Sequence, residues 1–177
     1  MKKKPPQPKA KPYFFVSYSS RESHLQVLLP CLWIALSSHF EMRLTPSALE
    51  SGADQLSQIN EMIDGCSFAV VVLDGLRANV SYEFGVLAAL DKPVILLKEK
   101  NAVVDIKSLI GKTVDISIAE PALNLDNHFS NVKSINHAQW DKFDSAATVR
   151  TILQEYKKKK LKIKDYVEVK EPQLWLS

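Results

Sequence analysis

Glu83 is the residue whose type and position fit least comfortably together in this chain. It follows Val80 by three residues and precedes Leu87 by four, so on a helix it shares part of their face. That face turns toward a core, or toward the crevice at its rim, where a carboxylate is unusual. Desolvation there raises a carboxyl pKa and nearby donors lower it, and a carboxylate so placed is a functional-site candidate. A plainer role stays open. A glutamate in the first turn of a helix stabilises the helix dipole by about 0.3–1 kcal/mol.

Around this residue the chemistry is sparse. Ser17, Tyr18, Ser19, Ser20 and Arg21 form a polar segment behind an apolar run, and the hydroxyls read as hydrogen-bond donors or turn and capping groups. The sequence offers these serines no evident histidine partner. The histidines His24, His39, His128 and His137 lack metal-ligand spacing, so no metal site is expected. The five glycines are scattered and form neither GxGxxG nor a phosphate loop, and a GxSxG elbow is missing.

Elements that would position these groups follow from periodicity. Tyr13–Tyr18, Phe68–Leu73 and Val94–Leu97 read as strands, with a weaker one at Phe40–Thr45 and an alternating, half-exposed edge strand at Val114–Ile118. Leu25, Leu28, Leu29, Leu32 and Leu36 mark a helix in which Pro30 should cause a kink or begin a shorter helix. Ser51 and Asp54 resemble a capping box before Leu56, Ile59 and Ile63, and Gly65 suits that helix's end. Val80, Phe84, Leu87 and Ala88 mark a third helix, stopped by Asp91-Lys92-Pro93. Val149, Ile152, Leu153 and Tyr156 mark a last one. The stretch from Ala119 to Asp144 carries no clear pattern.

Strands alternating with helices predict an α/β domain with a parallel sheet and helices on both faces. Tyr13–Tyr18, Phe68–Leu73 and Val94–Leu97 should then be parallel neighbours. Ligands in such sheets bind beyond the carboxyl ends of the strands. That rule selects Ser17–Arg21, Asp74–Asn79 and the start of the helix that holds Glu83.

Bulk properties set the frame. The chain has 177 residues and a net charge of +3, enough for one domain over residues 13–160 with tails. Residues 1–12, with lysines and four prolines, are expected to be a disordered basic arm, and residues 161–177 a C-terminal tail. Lys2 to Lys4 and the run Lys157–Lys160 could meet nucleic acid or anionic lipid, or simply face solvent; no specific nucleic-acid partner is expected. Cys31 and Cys66 lie far apart in apolar stretches, which fits buried thiols and a cytoplasmic setting. A signal peptide is not visible, and no apolar run approaches the roughly 20 residues that span a bilayer.

The segment FFVSYSSRES resembles the opening of TIR domains, where a first strand runs into a serine-rich loop. INEMIDGCSFAVVVLDGLRANVSYEFGVLAALDKPVILL is similar to the core of bacterial TIR-like nucleotide-binding proteins, with strand, loop, NV-SYEFG helix and KPV strand in that order. The layout also resembles the nucleoside 2-deoxyribosyltransferases. All share a flavodoxin-like architecture, and the match covers about half the chain, from Tyr13 to Leu97.

The resemblance implies a glutamate that cleaves the nicotinamide–ribose bond of NAD, with NAD as substrate and no further cofactor. Glu83 stands at that position. Ser17–Arg21 would contact ribose and phosphate, Arg21 as a planar donor, while Asp74, Asn79 and Tyr82 would line the substrate site. The loop Pro46–Gly52 would serve self-association, or act as a plain connector. Asn79, Val80, Ser81 and Tyr82 precede the glutamate where many eukaryotic-type TIR NAD hydrolases carry Trp or Cys. A second acid a few positions before the glutamate, usual in deoxyribosyltransferases, is missing apart from the earlier Asp74. Three functions remain open: a TIR-like NAD(P) hydrolase acting in immunity or signalling; another nucleoside N-glycosidase or deoxyribosyltransferase; and a non-catalytic adaptor or nucleotide-sensing module.

Overall fold

The structure, a computed structural model, describes residues 11–19, 23–44, 53–73, 78–100 and 137–172. Among them run strands β1 (Tyr13–Ser17), β2 (Glu41–Leu44), β3 (Phe68–Val72), β4 (Val94–Glu99) and β5 (Ala138–Trp140). The helices are α1 (Leu29–Leu36), α2 (Ala53–Gly65), α3 (Ala78–Ala89) and α4 (Ser145–Lys158). The strands form one sheet in the order β2-β1-β3-β4-β5, and every pairing is parallel. This is the flavodoxin-like order, in which connections reverse direction between β1 and β3. The expected parallel neighbours are present: Ser17 lies beside Val71, and Val72 beside Leu97.

Strand alternation divides the core into two layers. Phe14, Val16, Phe68, Val70, Val72, Ile95 and Leu97 face α1 and α4. Phe15, Ala69, Val71 and Leu96 face Ile59, Ile63, Val80 and Leu87 of α2 and α3. β3 is buried along its whole length, as a central strand covered on both faces must be.

Pro30 acts one turn earlier than a simple kink would. A π-helical turn, His24–Leu28, precedes α1, and the Leu29 amide bonds the His24 carbonyl five residues back. Pro30 has no amide to donate and its ring crowds the carbonyl four residues before it. Widening the preceding turn accommodates both facts, and Pro30 then sits in the first turn of α1, where a missing amide costs nothing.

β1, β2 and β3 fall within one residue of the expected bounds, and three further features differ by more. β4 continues through Lys98 to Glu99, because the ladder extends beside β5 although the side chains turn charged. The edge strand beside β4 is Ala138–Trp140, within the unpatterned stretch; the expected strand at Val114–Ile118 lies outside the described residues. The core also continues past residue 160, where the tail was expected to begin. Ile163 and Val169 are buried, Tyr166 stacks on Tyr156 at 5.0 Å, and the Tyr156 hydroxyl donates to the Val167 carbonyl at 2.9 Å.

Candidate functional site

Ser17 is the last residue of β1 and shares the sheet face of Phe15. That parity points its side chain toward α3. α3 in turn presents Val80, Glu83 and Leu87 inward, as their spacing predicts. The result is a direct contact: the Ser17 hydroxyl donates to Oε2 of Glu83. Both residues are buried, Ser17 completely and Glu83 to 1% exposure. The pair sits at the carboxyl end of β1, beside β3, where the sheet's connectivity reverses.

The dipole explanation for Glu83 loses its footing here. α3 begins at Ala78, so Glu83 is its sixth residue, and the first turn contains no acidic residue. Dipole stabilisation fades beyond the first turn. A buried carboxylate is expensive unless hydrogen-bonded, and the helix dipole is not what holds this one.

The other expected site residues divide by position. Tyr18 has the opposite strand parity and packs against the core layer of α1 and α4, away from Glu83. Asn79 is exposed in the first turn of α3. Tyr82 is 40% exposed, and its hydroxyl donates to Oδ1 of Asn60 on α2 at 3.2 Å, tying the two helices together. Ser19 is buried next to His24. Ser20, Arg21 and Asp74 lie outside the described residues, as does the loop Pro46–Gly52.

His24 corrects the reading that the serines lack a histidine partner. Its Nδ1 is 2.7 Å from the Ser19 carbonyl oxygen and 3.3 Å from Ser19 Oγ. A carbonyl can only accept, so Nδ1 carries the proton. It therefore has no lone pair with which to take a proton from Ser19. The imidazole, fully buried and edge-on to Trp140 at 5.7 Å, fixes the backbone just beyond Ser17 rather than activating a nucleophile. The five-residue spacing from Ser19 to His24 across a polar turn was the signal for it, but it becomes legible only once the π turn is known.

A second buried carboxylate stands at the same edge. Glu99, 6% exposed at the end of β4, meets Lys142 at 2.8 Å, and Lys100 meets Asp141 at 3.6 Å. These pairs close the carboxyl ends of β4 and β5. Among the described residues, no group of three or more His, Cys, Asp or Glu side chains could hold a metal ion. None of the described helices is long and apolar enough to cross a membrane.

The two thiols are unreactive by environment. Burial pushes Cys31 above its ordinary value and Cys66 up to about 11. Comparison with known proteins adds no assignment: no protein-family model matches the chain, and no curated protein matches it at a significant level.

Proposed function

We propose that this chain is a TIR-like NAD(P) hydrolase in which Glu83 stabilises the positive charge that develops on ribose as the nicotinamide bond breaks. The observation that supports this most is the buried Ser17–Glu83 pair at the β1/β3 switch point of a flavodoxin-like sheet. Ligands of such sheets bind there, and a carboxylate is the group that glycosyl transfer requires. The reaction consumes one water: the C–N bond to nicotinamide breaks, water oxygen bonds to the anomeric carbon, and nicotinamide, an ADP-ribose product and a proton leave. Ser17 is a positioning residue, which orients the carboxylate by donating to one of its oxygens. Glu83 is 1% exposed, so ribose reaches it only when the crevice opens. Self-association through Pro46–Gly52 and a role in immune signalling belong to the same reading.

The test is nicotinamide release from NAD by concentrated protein, followed by chromatography beside a panel of other nucleosides. Glu83→Gln keeps the size of the side chain and removes its charge. Turnover should fall on the order of 100-fold or more, because a lost electrostatic contact to a transition state costs at least that. Retained turnover would remove Glu83 from the mechanism.

The closed state of Glu83 favours one other reading, a non-catalytic nucleotide-sensing or adaptor module in which the Ser17–Glu83 bond is a structural pin. Wild-type protein that cleaves neither NAD nor any other nucleoside would put that reading first.

A further inference from the structure

At the opposite end of the sheet from Glu83, α4 runs out into a basic turn. Residues 157–164 contain six lysines and no acid, and between Lys160 and Lys162 stands Leu161, 98% exposed. This turn is held in place. Ile163, two residues on, is 4% exposed in the core, the Ile163 amide bonds the Lys159 carbonyl at 3.1 Å, and the Lys162 amide does the same at 2.9 Å. Pinning Ile163 inward thus fixes Leu161 outward, with lysines on either side.

Next to the turn is a cavity of about 320 Å³, lined among others by Ser67, Lys92, Lys162, Lys164 and Asp165. Lys92 is already committed to the carbonyls of Asp64 and Cys66, and Ser67 donates to Asp165 at 3.2 Å. Of the three lysines that line the cavity, Lys162 and Lys164 remain to face an incoming anion, with Asp64 and Asp165 on the same wall.

We propose that this end docks on an anionic membrane surface, with Leu161 entering the headgroup–acyl boundary and Lys162 and Lys164 meeting lipid phosphate or carboxylate groups. Lysines near an anionic leaflet each add to binding, and a bare apolar side chain among them gains by leaving water. A nucleic acid would use the same charges but has no use for a fully exposed leucine, since backbone contacts are electrostatic. The docking face lies at the amino ends of β3 and β4, so it leaves the carboxyl end of the sheet, where Glu83 sits, facing solution. This inference does not depend on the hydrolase reading.

The experiment is co-sedimentation of the full chain with phosphatidylcholine vesicles, with and without about a third phosphatidylserine. Binding is expected only to the anionic vesicles, and it should weaken with salt. Leu161→Ser should reduce affinity about tenfold, and Leu161→Trp should increase it. Lys162→Glu combined with Lys164→Glu should abolish it. Melting curves of the Leu161 variants should match wild type, because the side chain touches almost nothing. A wild type that stays in the supernatant with anionic vesicles overturns the proposal. So does binding that ignores both Leu161 substitutions while a short DNA duplex binds as tightly, which would mark a general polyanion patch.

Discussion

Ser17 and Glu83, 66 residues apart in the chain, are joined by a hydrogen bond from the end of a strand to the second turn of a helix. Two connections must be folded before the pair exists. Ser17→Ala removes one donor from a buried carboxylate and should cost about 1–3 kcal/mol. Glu83→Gln leaves an oxygen for the Ser17 hydroxyl and removes the charge, so it should be at least as stable as wild type if the charge is kept for function. Ser17→Ala should cost less in the Glu83→Gln background than in wild type, because a neutral amide oxygen suffers less than a buried carboxylate when its donor is removed. Urea unfolding of all four proteins measures this, and strictly additive effects would show that the pair is not coupled.

The inward face of α3 was legible because it repeats at helical spacing, and Glu83 stood out as a charge on it. The central strands were legible because residues buried on both sides must be continuously apolar. What stayed hidden depended on distant partners. β5 is three residues long, Ala-Gln-Trp, and earns its strand geometry from pairing with Leu97 to Glu99 rather than from its own pattern. Tyr18 and Ser17 look equivalent in a polar segment, yet the pleat sends them to opposite faces. The buried histidine escaped because Pro30's effect is exerted through a π turn that no spacing rule describes.

Gly65 ends α2 for a reason other than backbone freedom. A Cβ at this position would overlap the Tyr13 hydroxyl, which reaches over it to donate to the Met62 carbonyl at 3.0 Å. Tyr13 thus satisfies one of the helix's terminal carbonyls, while Arg43 lies over its ring at 3.8 Å. Gly65→Ala should destabilise by about 1–3 kcal/mol through overpacking. Tyr13→Phe removes the clashing oxygen, so the double variant should recover part of that loss. Thermal melts of the three variants test it; no recovery would mean that the glycine serves some other contact.

Asp91 carries a left-handed backbone, with φ of 48°. It stands two residues past the end of α3, after the capping Leu90, where the Asp91 amide bonds the Ala88 carbonyl at 3.1 Å and the Lys92 amide bonds the Leu87 carbonyl at 3.0 Å. This is the two-bond helix stop that ordinarily takes glycine. Asp91→Gly should raise stability by about 0.5–1 kcal/mol by relieving the steric cost, and Asp91→Val should lower it by more. A melting temperature that falls for glycine would show that the aspartate side chain contributes more than its backbone costs.

Cys66 gives the protein a specific alkaline weakness. It is 5% exposed, its Sγ donates to the Ile63 carbonyl at 3.1 Å, and burial pushes its pKa from 9.0 to about 11, with the Lys92 ammonium opposing. The folded state therefore holds the thiol proton more tightly than the unfolded state. Its contribution is fully present below pH 9, where both states are protonated, and is lost as pH rises from 9 through about 11. The loss should approach about 2 kcal/mol at the top of that range. Burial also raises Tyr13 and Tyr156 above their ordinary value, so their ionisation weakens the protein at high pH as well. Tyr156 is common to wild type and Cys66→Ala and cancels in the difference, whereas Tyr13, which the Cys66 charge also raises, is taken out by making both measurements in a Tyr13→Phe background. Urea midpoints at pH 8 and pH 11 should show wild type falling further than Cys66→Ala; equal falls would mean that the thiol is not protonation-linked to folding.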